Sequence, residues 1–276
     1  MDQKKIGFIG AGNMAGALIG GLLDGDFSGD RIWVSDIDPG KLESLRTQYG
    51  LHTSPDNRAV ARNVDVLVIA VKPQVARSVL TDLGGEMLRS DLIVISIAAG
   101  IRESDIEKWF GAPDLALIRA MPNTPALIRS GATALHANCR VKEAQRDLAE
   151  SILRSVGLVV WLDSESDLDA VTALSGSGPA YFFLLMEAME ESGLRLGLDP
   201  RTVRLLVEQT AFGAAKIALE VEESPAELRK RVTSPGGTTQ KALEAFEKRG
   251  FRTLVAEALS AAHHRSIEMS RELGGE

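Results

Sequence analysis

The sequence predicts an α/β chain in two parts, a mostly parallel β-sheet flanked by helices over residues 1–163 and an all-helical part over residues 164–276. Three observations lead there. Short apolar runs alternate with amphipathic stretches from Ile6 to about Asp163, the pattern of strand and helix units. Beyond Asp163 the β-type runs stop, and helix-like segments follow one another between Gly/Pro punctuation. A glycine-rich turn joins the first apolar run to the first amphipathic stretch.

In chain order, the apolar runs that read as strands are Ile6 to Ile9, Ile32 to Ser35, Val66 to Ala70, Leu92 to Ile97, Leu115 to Arg119, Ala132 to His136 and Leu158 to Leu162. The first intervening helix carries an apolar stripe at Met14, Leu18, Gly21 and Leu22. In the second part the breaks fall at Gly197 to Pro200, Ser224 and Pro225, Ser234 to Gly237, and Gly250. Stripes at Phe182, Leu185 and Met189, and at Val203, Leu206, Thr210, Ala214, Ile217 and Val221, must be hidden somewhere. The small residues Ala173, Gly176, Gly178, Ala180 and Ala188 would let another helix approach closely, either from the same chain or from a partner subunit.

Composition narrows the function. With 276 residues, 45% hydrophobic and 25% charged, the chain has enough length for one large or two modest cores. A net charge of −7 and the lack of a long Lys/Arg run argue against a nucleic-acid partner, which needs a basic face. Met1 to Lys5 run straight into the first strand without the apolar stretch of an export signal, and no segment approaches the ~20 apolar residues of a membrane span. The single Cys139 has no intrachain disulfide partner, and His and Cys do not fall at metal-ligand spacing. The expectation is a cytoplasmic, metal-free protein with no membrane contact.

Gly10-Ala11-Gly12-Asn13-Met14-Ala15 follows a strand and opens an amphipathic helix, the context in which a Gly-x-Gly-x-x-Gly/Ala match binds a dinucleotide. Gly10 permits the tight turn, a side chain at Gly12 would block the pyrophosphate, and the amides near Asn13 and Met14 lie at a helix start that favours phosphate. The first part is therefore expected to be Rossmann-type. At the end of the second strand, Ser35-Asp36 stands where the adenosine ribose is normally faced. An acid there accepts from the 2′-OH of NAD and repels the 2′-phosphate of NADP, while Asp36 suits equally well as a cap for the helix near Lys41. Asn57 and Arg58, at an expected helix start, could donate to a phosphate. Ala70-Val71-Lys72-Pro73 and Ser96 to Gly100 close the next two runs, and in open parallel sheets such ends line the ligand crevice. Lys72 fits a catalytic role or a solvated helix flank.

These segments, together with Met121-Pro122-Asn123-Thr124-Pro125, Ser175 to Tyr181 and Val232 to Thr239, resemble the pyrroline-5-carboxylate reductase family over nearly the whole chain. The resemblance implies reduction of 1-pyrroline-5-carboxylate to L-proline, the last step of proline biosynthesis. It implies a helical dimerisation part, a homodimer or a higher homo-oligomer, and active sites where the helices of two subunits interlock. For the coenzyme, NADPH with NADH also possible, it points to Gly10, Gly12, Asn13, Met14, Ser35, Asp36, Asn57, Ala70, Val71, Lys72, Pro73, Ala98 and Asn123. For the substrate it points to Glu222, Val232, Ser234, Gly236, Gly237, Thr238 and Thr239, with Thr172, Ser177 and Thr239 as the catalytic set. Asp36 departs from family members that carry a small polar residue there.

The chemistry accepts such a set. A protonated cyclic imine is already an electrophile, so orientation and electrostatic support matter more than an acid, and His52, His136, His263 and His264 need no catalytic role. Ser234 to Thr239 precede a helix expected to begin near Gln240, and free amides there would cradle the substrate carboxylate while the Thr239 hydroxyl donates near the ring nitrogen or the carboxamide. The same residues also suit a plain capping loop. Glu222 belongs to an acidic run with Glu220, Glu223 and Glu227 that equally reads as a solvated helix end. The first part alone would suit a β-hydroxyacid dehydrogenase, another imine reductase, or a protein that binds the coenzyme without turnover.

Overall fold

The structure, a computed structural model, describes residues 4–84, 89 and 91–275; the first three residues of the Met1 to Lys5 run lie outside them. One eight-stranded sheet holds β1 (Ile6–Ile9), β2 (Ile32–Ser35), β3 (His52–Ser54), β4 (Val66–Ile69), β5 (Ile93–Ser96), β6 (Ala116–Met121), β7 (Gly131–Ala137) and β8 (Gly157–Trp161), in the order β3-β2-β1-β4-β5-β6-β7-β8. Every pairing is parallel except β6 with β7, where Arg119 faces His136. The seven expected strands are present, β1 and β2 with the expected bounds and the other five with ends shifted by one or two residues. β3 was not among them, because His52-Thr53-Ser54 is short and polar and exists by pairing with β2 at the sheet edge.

The helices of this part are α1 (Asn13–Asp24), α2 (Pro39–Tyr49), α3 (Asn57–Ala61), α4 (Pro73–Leu83), α5 (Glu103–Phe110), α6 (Glu143–Arg154) and α7 (Asp167–Val171). They cover both faces of the sheet, so β1, β4 and β5 are buried at every residue. Alternation sorts their side chains. Ile6, Phe8, Val66 and Val68 join one core with Leu18 and Ile19 of α1 and Ile152 and Leu153 of α6. Ile9, Leu67 and Ile69 join the other, with Leu80 of α4, Ile106 and Phe110 of α5, and Leu117 of β6. Each such Leu or Ile is worth roughly 1.5–3 kcal/mol over its exposed state.

After β8 the described residues form only helices: α7, a π-helical turn at Thr172–Gly176, α8 (Gly178–Arg195), α9 (Pro200–Glu220), α10 (Pro225–Arg231), α11 (Thr238–Lys248) and α12 (Phe251–Gly274). By contacts the chain divides into two compact units, Met1–Ser177 with Ala262–Glu276, and Gly178–Ala261. That division by contact is separate from the change of element type near residue 163. In the first unit the last turns of α12 pack Leu273 onto the second core, and Ser266 Oγ donates to Asp169 Oδ1 at 2.5 Å.

The second unit has little interior of its own. Val203 and Val207 are the buried apolar side chains of α9, and α10 and α11 bury none. The expected stripes lie open instead, with Phe182 65%, Leu206 55% and Ile217 53% exposed. Ala173 is buried and Met121 fills the space over Gly176, so this much of the small-residue run is packed within the first unit.

Candidate dinucleotide and substrate sites

In the first unit the glycine turn between β1 and α1 meets the ends of β2 and β4. Gly10 has φ +99°, and a Cβ there would stand 2.7 Å from the Ala70 carbonyl oxygen and 3.2 Å from Val71 Cγ1. Only glycine fits, by conformation and by space. Gly12 is the opposite case: its backbone is extended, and a Cβ would meet no protein atom within 4 Å. It is the N-cap of α1, no side chain caps this helix, and the first helical hydrogen bond is Gly16 N–H to Gly12 O at 2.9 Å. The amides of Asn13, Met14 and Ala15 therefore have no helical acceptor. The Met14 side chain packs inward against the core, so its amide is the group on offer. A hollow of about 420 Å³ beside the turn is lined by Gly12, Asn13, Gly16, Tyr49, Leu127 and Arg129.

Ser35 and Asp36 end β2. The buried Ser35 hydroxyl donates to Asn57 Oδ1 at 2.7 Å, which brings Asn57, the first residue of α3, to the same strand end. Asp36 Oδ2 accepts the Ala11 N–H at 2.7 Å and Oδ1 accepts the Asp38 N–H at 2.9 Å. The cap near Lys41 is not Asp36. Asp38 performs it, accepting from the amides of Gly40 and Lys41, with Pro39 in the first turn. The Asp-Pro pair is a sequence signal for this that was available. Arg58 Nη2 meets the Asp82 carboxylate at 2.9 Å on the exposed surface. Lys72, exposed, is the N-cap of α4 ahead of Pro73, and Ala98 is buried with its N–H near Ser96 Oγ.

The same unit holds Asn123, Thr172 and Ser177. Asn123 Oδ1 accepts the Ala132 N–H at 2.8 Å and Nδ2 donates to the Ser175 carbonyl at 3.1 Å, so this side chain clamps the π-helical turn to β7. Thr172 Oγ1 donates to Leu168 O at 2.7 Å, and the Ser177 N–H reaches Thr172 O at 2.8 Å. Glu165, ahead of α7, takes Arg119 Nη1 at 2.7 Å and the Glu103 N–H at 2.6 Å.

In the second unit Ser234 to Gly237 form a turn in which Gly236 has φ +73°. α11 begins at Thr238, two residues before the expected start. The Gly237 N–H is taken by Ser234 O at 3.1 Å and the Gly236 N–H by Gln240 Oε1 at 2.6 Å, so those two amides are spent inside the turn. The first helical bond is Lys241 N–H to Gly237 O, which leaves the amides of Thr238, Thr239 and Gln240 without helical acceptors. Val232 is 69% exposed. Of the acidic run, Glu220 pairs with Lys216, Glu223 with Arg231, and Glu227 with the Ser224 cap, while Glu222 is exposed between α9 and α10. Among the described residues no cluster of three or more His, Cys, Asp or Glu could hold a metal ion, and no helix is long and apolar enough to cross a membrane.

A mostly parallel sheet with a glycine turn at its first strand–helix junction, followed by helices, defines the chain as a Rossmann-type oxidoreductase. Residues 5–100 match the family described as NADP oxidoreductase coenzyme F420-dependent, and residues 165–269 match pyrroline-5-carboxylate reductase dimerisation. A pyrroline-5-carboxylate reductase of Pseudomonas aeruginosa is 46% identical over 274 residues, covering 99% of this chain and 100% of the relative. One from Synechocystis sp. is 42% identical, covering 97% and 99%. Among solved structures, a pyrroline-5-carboxylate reductase from Coxiella burnetii superposes with a TM-score of 0.91 at 46% identity, covering 98% of this chain and 99% of that one. A Plasmodium falciparum pyrroline carboxylate reductase with NADP bound gives 0.86 at 30%, covering 98% and 99%. The chain belongs to the pyrroline-5-carboxylate reductase family.

Proposed function

We propose that this chain reduces 1-pyrroline-5-carboxylate to L-proline with NADPH or NADH, as the last step of proline biosynthesis in the cytoplasm. The observation that carries the reading is the glycine turn, where the lack of a side chain on Gly12 has no cause inside the protein and three helix-start amides stand unspent beside it. That is the cradle a pyrophosphate requires. When bound, the reduced nicotinamide supplies the hydride. Gly10, Ala70 and Val71 shape the turn, and the amides of Asn13 and Met14 take the phosphate charge. Ser35, Asp36 and Asn57 flank the ribose end, with Lys72, Pro73 and Ala98 at the neighbouring strand ends.

The substrate carboxylate is assigned to the free amides of Thr238, Thr239 and Gln240, with Ser234, Gly236 and Gly237 shaping the approach and Glu222 and Val232 near it. The Thr239 hydroxyl serves as donor to the substrate. Thr172 has already given its hydroxyl hydrogen to Leu168 O, so it would act on the substrate as an acceptor. Asn123 has one amide hydrogen left beyond its two internal bonds, and Ser177 closes the turn that it clamps.

On this reading residues 1–163 form the dinucleotide domain and 164–276 the dimerisation and substrate domain. The open apolar faces of α8 and α9 are covered by a second copy, giving a homodimer as the smallest assembly. Mixing the purified protein with 1-pyrroline-5-carboxylate and either reduced coenzyme should consume the coenzyme's near-ultraviolet absorbance and yield proline. Coenzyme binding without imine-dependent consumption would make the chain a binding protein, and turnover of a hydroxy acid alone would make it a dehydrogenase.

A further inference from the structure

The carboxylate of Asp36 is fixed in place by the glycine turn itself. Ala11, the residue between the two glycines, gives its N–H to Oδ2, and Asp38 gives its N–H to Oδ1, at 2.7 and 2.9 Å. Two bonds to backbone from opposite ends remove the side chain's freedom to swing aside. Each oxygen still has a lone pair for a hydroxyl.

Next to it lies a hollow of about 400 Å³ lined by Asp36, Ile37, Glu43, Arg46, Thr53 and Pro55, among others. Ile37 is 98% exposed there, an apolar side chain with no protein partner at the lip of a hollow. Two carboxylates and one guanidinium line this space, and Arg46 is already paired with Glu43 at 2.8 Å. Arg58, in α3, is paired with Asp82. The lining thus offers a ribose two acceptor oxygens, and its one guanidinium is shared with Glu43.

We infer that Asp36, held by Ala11, makes this chain prefer NADH over NADPH, the anchored carboxylate accepting the adenosine ribose hydroxyls and repelling a 2′-phosphate. This rests on the reading of the glycine turn as the dinucleotide site. A carboxylate that could rotate away, or a free arginine in the hollow, would relieve the repulsion. Neither is present among the described residues of the lining.

The test is calorimetric titration of the full-length protein with NAD+ and with NADP+, which needs no turnover, repeated with Asp36→Ser and Asp36→Asn. Asn removes the charge and keeps an acceptor for one of the two amides, its NH2 having to turn from the other, so a thermal unfolding curve of each variant accompanies the titration and shows that it is folded. NAD+ should bind at least about tenfold more tightly than NADP+, and both variants should bring the two within about threefold of each other. Equal or tighter binding of NADP+ by the unsubstituted protein, or an unmoved ratio in the Asn variant, overturns the inference. Failure of both nucleotides to bind overturns it together with the glycine-turn site. Failure to reduce the imine while the binding ratio holds would instead strike the proposed reaction and leave Asp36 as assigned.

Discussion

Gly10 lies against Ala70 so closely that a methyl group on it would stand 2.7 Å from the Ala70 carbonyl oxygen, whereas a methyl group on Gly12, two residues on, would touch nothing. The two glycines of one motif are thus required by different partners. Gly10→Ala should destabilise the fold by about 2 kcal/mol or more, a fall of roughly 4–8 °C in Tm. Gly12→Ala should leave Tm nearly unchanged and weaken coenzyme binding by about tenfold or more. Thermal unfolding and coenzyme titration of both variants check this; a Gly12→Ala protein that binds coenzyme normally would place the pyrophosphate elsewhere.

Asn123→Ala should strip partners from the Ala132 N–H and the Ser175 carbonyl at once. Leaving such groups unpaired costs about 1–3 kcal/mol, read as a lower midpoint in urea. Asn123→Asp keeps an acceptor for the Ala132 N–H but sets a charged oxygen against the Ser175 carbonyl, so it too should lower the midpoint. An Ala variant as stable as the parent would show that the clamp bears no load.

Burial holds the Glu103 carboxyl above the usual glutamate range, with repulsion from Glu165 and Glu107 adding to it. A pKa raised by folding means stability that is complete below the unfolded value and is lost as pH rises through the folded one. Glu103→Gln, which stays neutral, should therefore raise Tm relative to the parent at neutral pH and match it in acid below the ordinary glutamate pKa. The same Tm difference at both pH values would contradict this.

Thr239→Ala removes a hydroxyl from the first turn of α11 while leaving the turn's backbone bonds intact. Expected is a fall in kcat/KM of roughly 10–100-fold with coenzyme affinity nearly unchanged. If kcat/KM stays at the parent value, Thr239 has no part in the chemistry.

Phe212, 61% exposed on α9, gives up little packing within the chain when replaced. Phe212→Glu should still fold yet put a charge on the face assigned to a second copy, lowering the mass seen by light scattering at micromolar concentration. A variant that keeps the parent's assembly would move the interface to another face.

Much of the fold was legible in the residues because its signals are local. The spacing of apolar residues decides strand or helix segment by segment, and Gly10 to Ala15 announce their turn by following one and opening the other. The strand that escaped, His52 to Ser54, has no apolar pattern, since it is held by hydrogen bonds to β2 rather than by its own burial. The reversal of β7 against β6 is likewise a matter of pairing.

By itself, then, the chain's order of residues determined a sheet half followed by a helical half, the glycine turn and the family motifs, all of them properties of neighbours in sequence. Only the tertiary structure decided which polar groups are still free. Asp36 is engaged by Ala11 while Asp38 caps the helix, Arg58 is claimed by Asp82, and Gly236 gives its amide to Gln240. A donor or acceptor can be spent on a partner brought close by packing, and for Asp36 and Arg58 that partner lies more than twenty residues away.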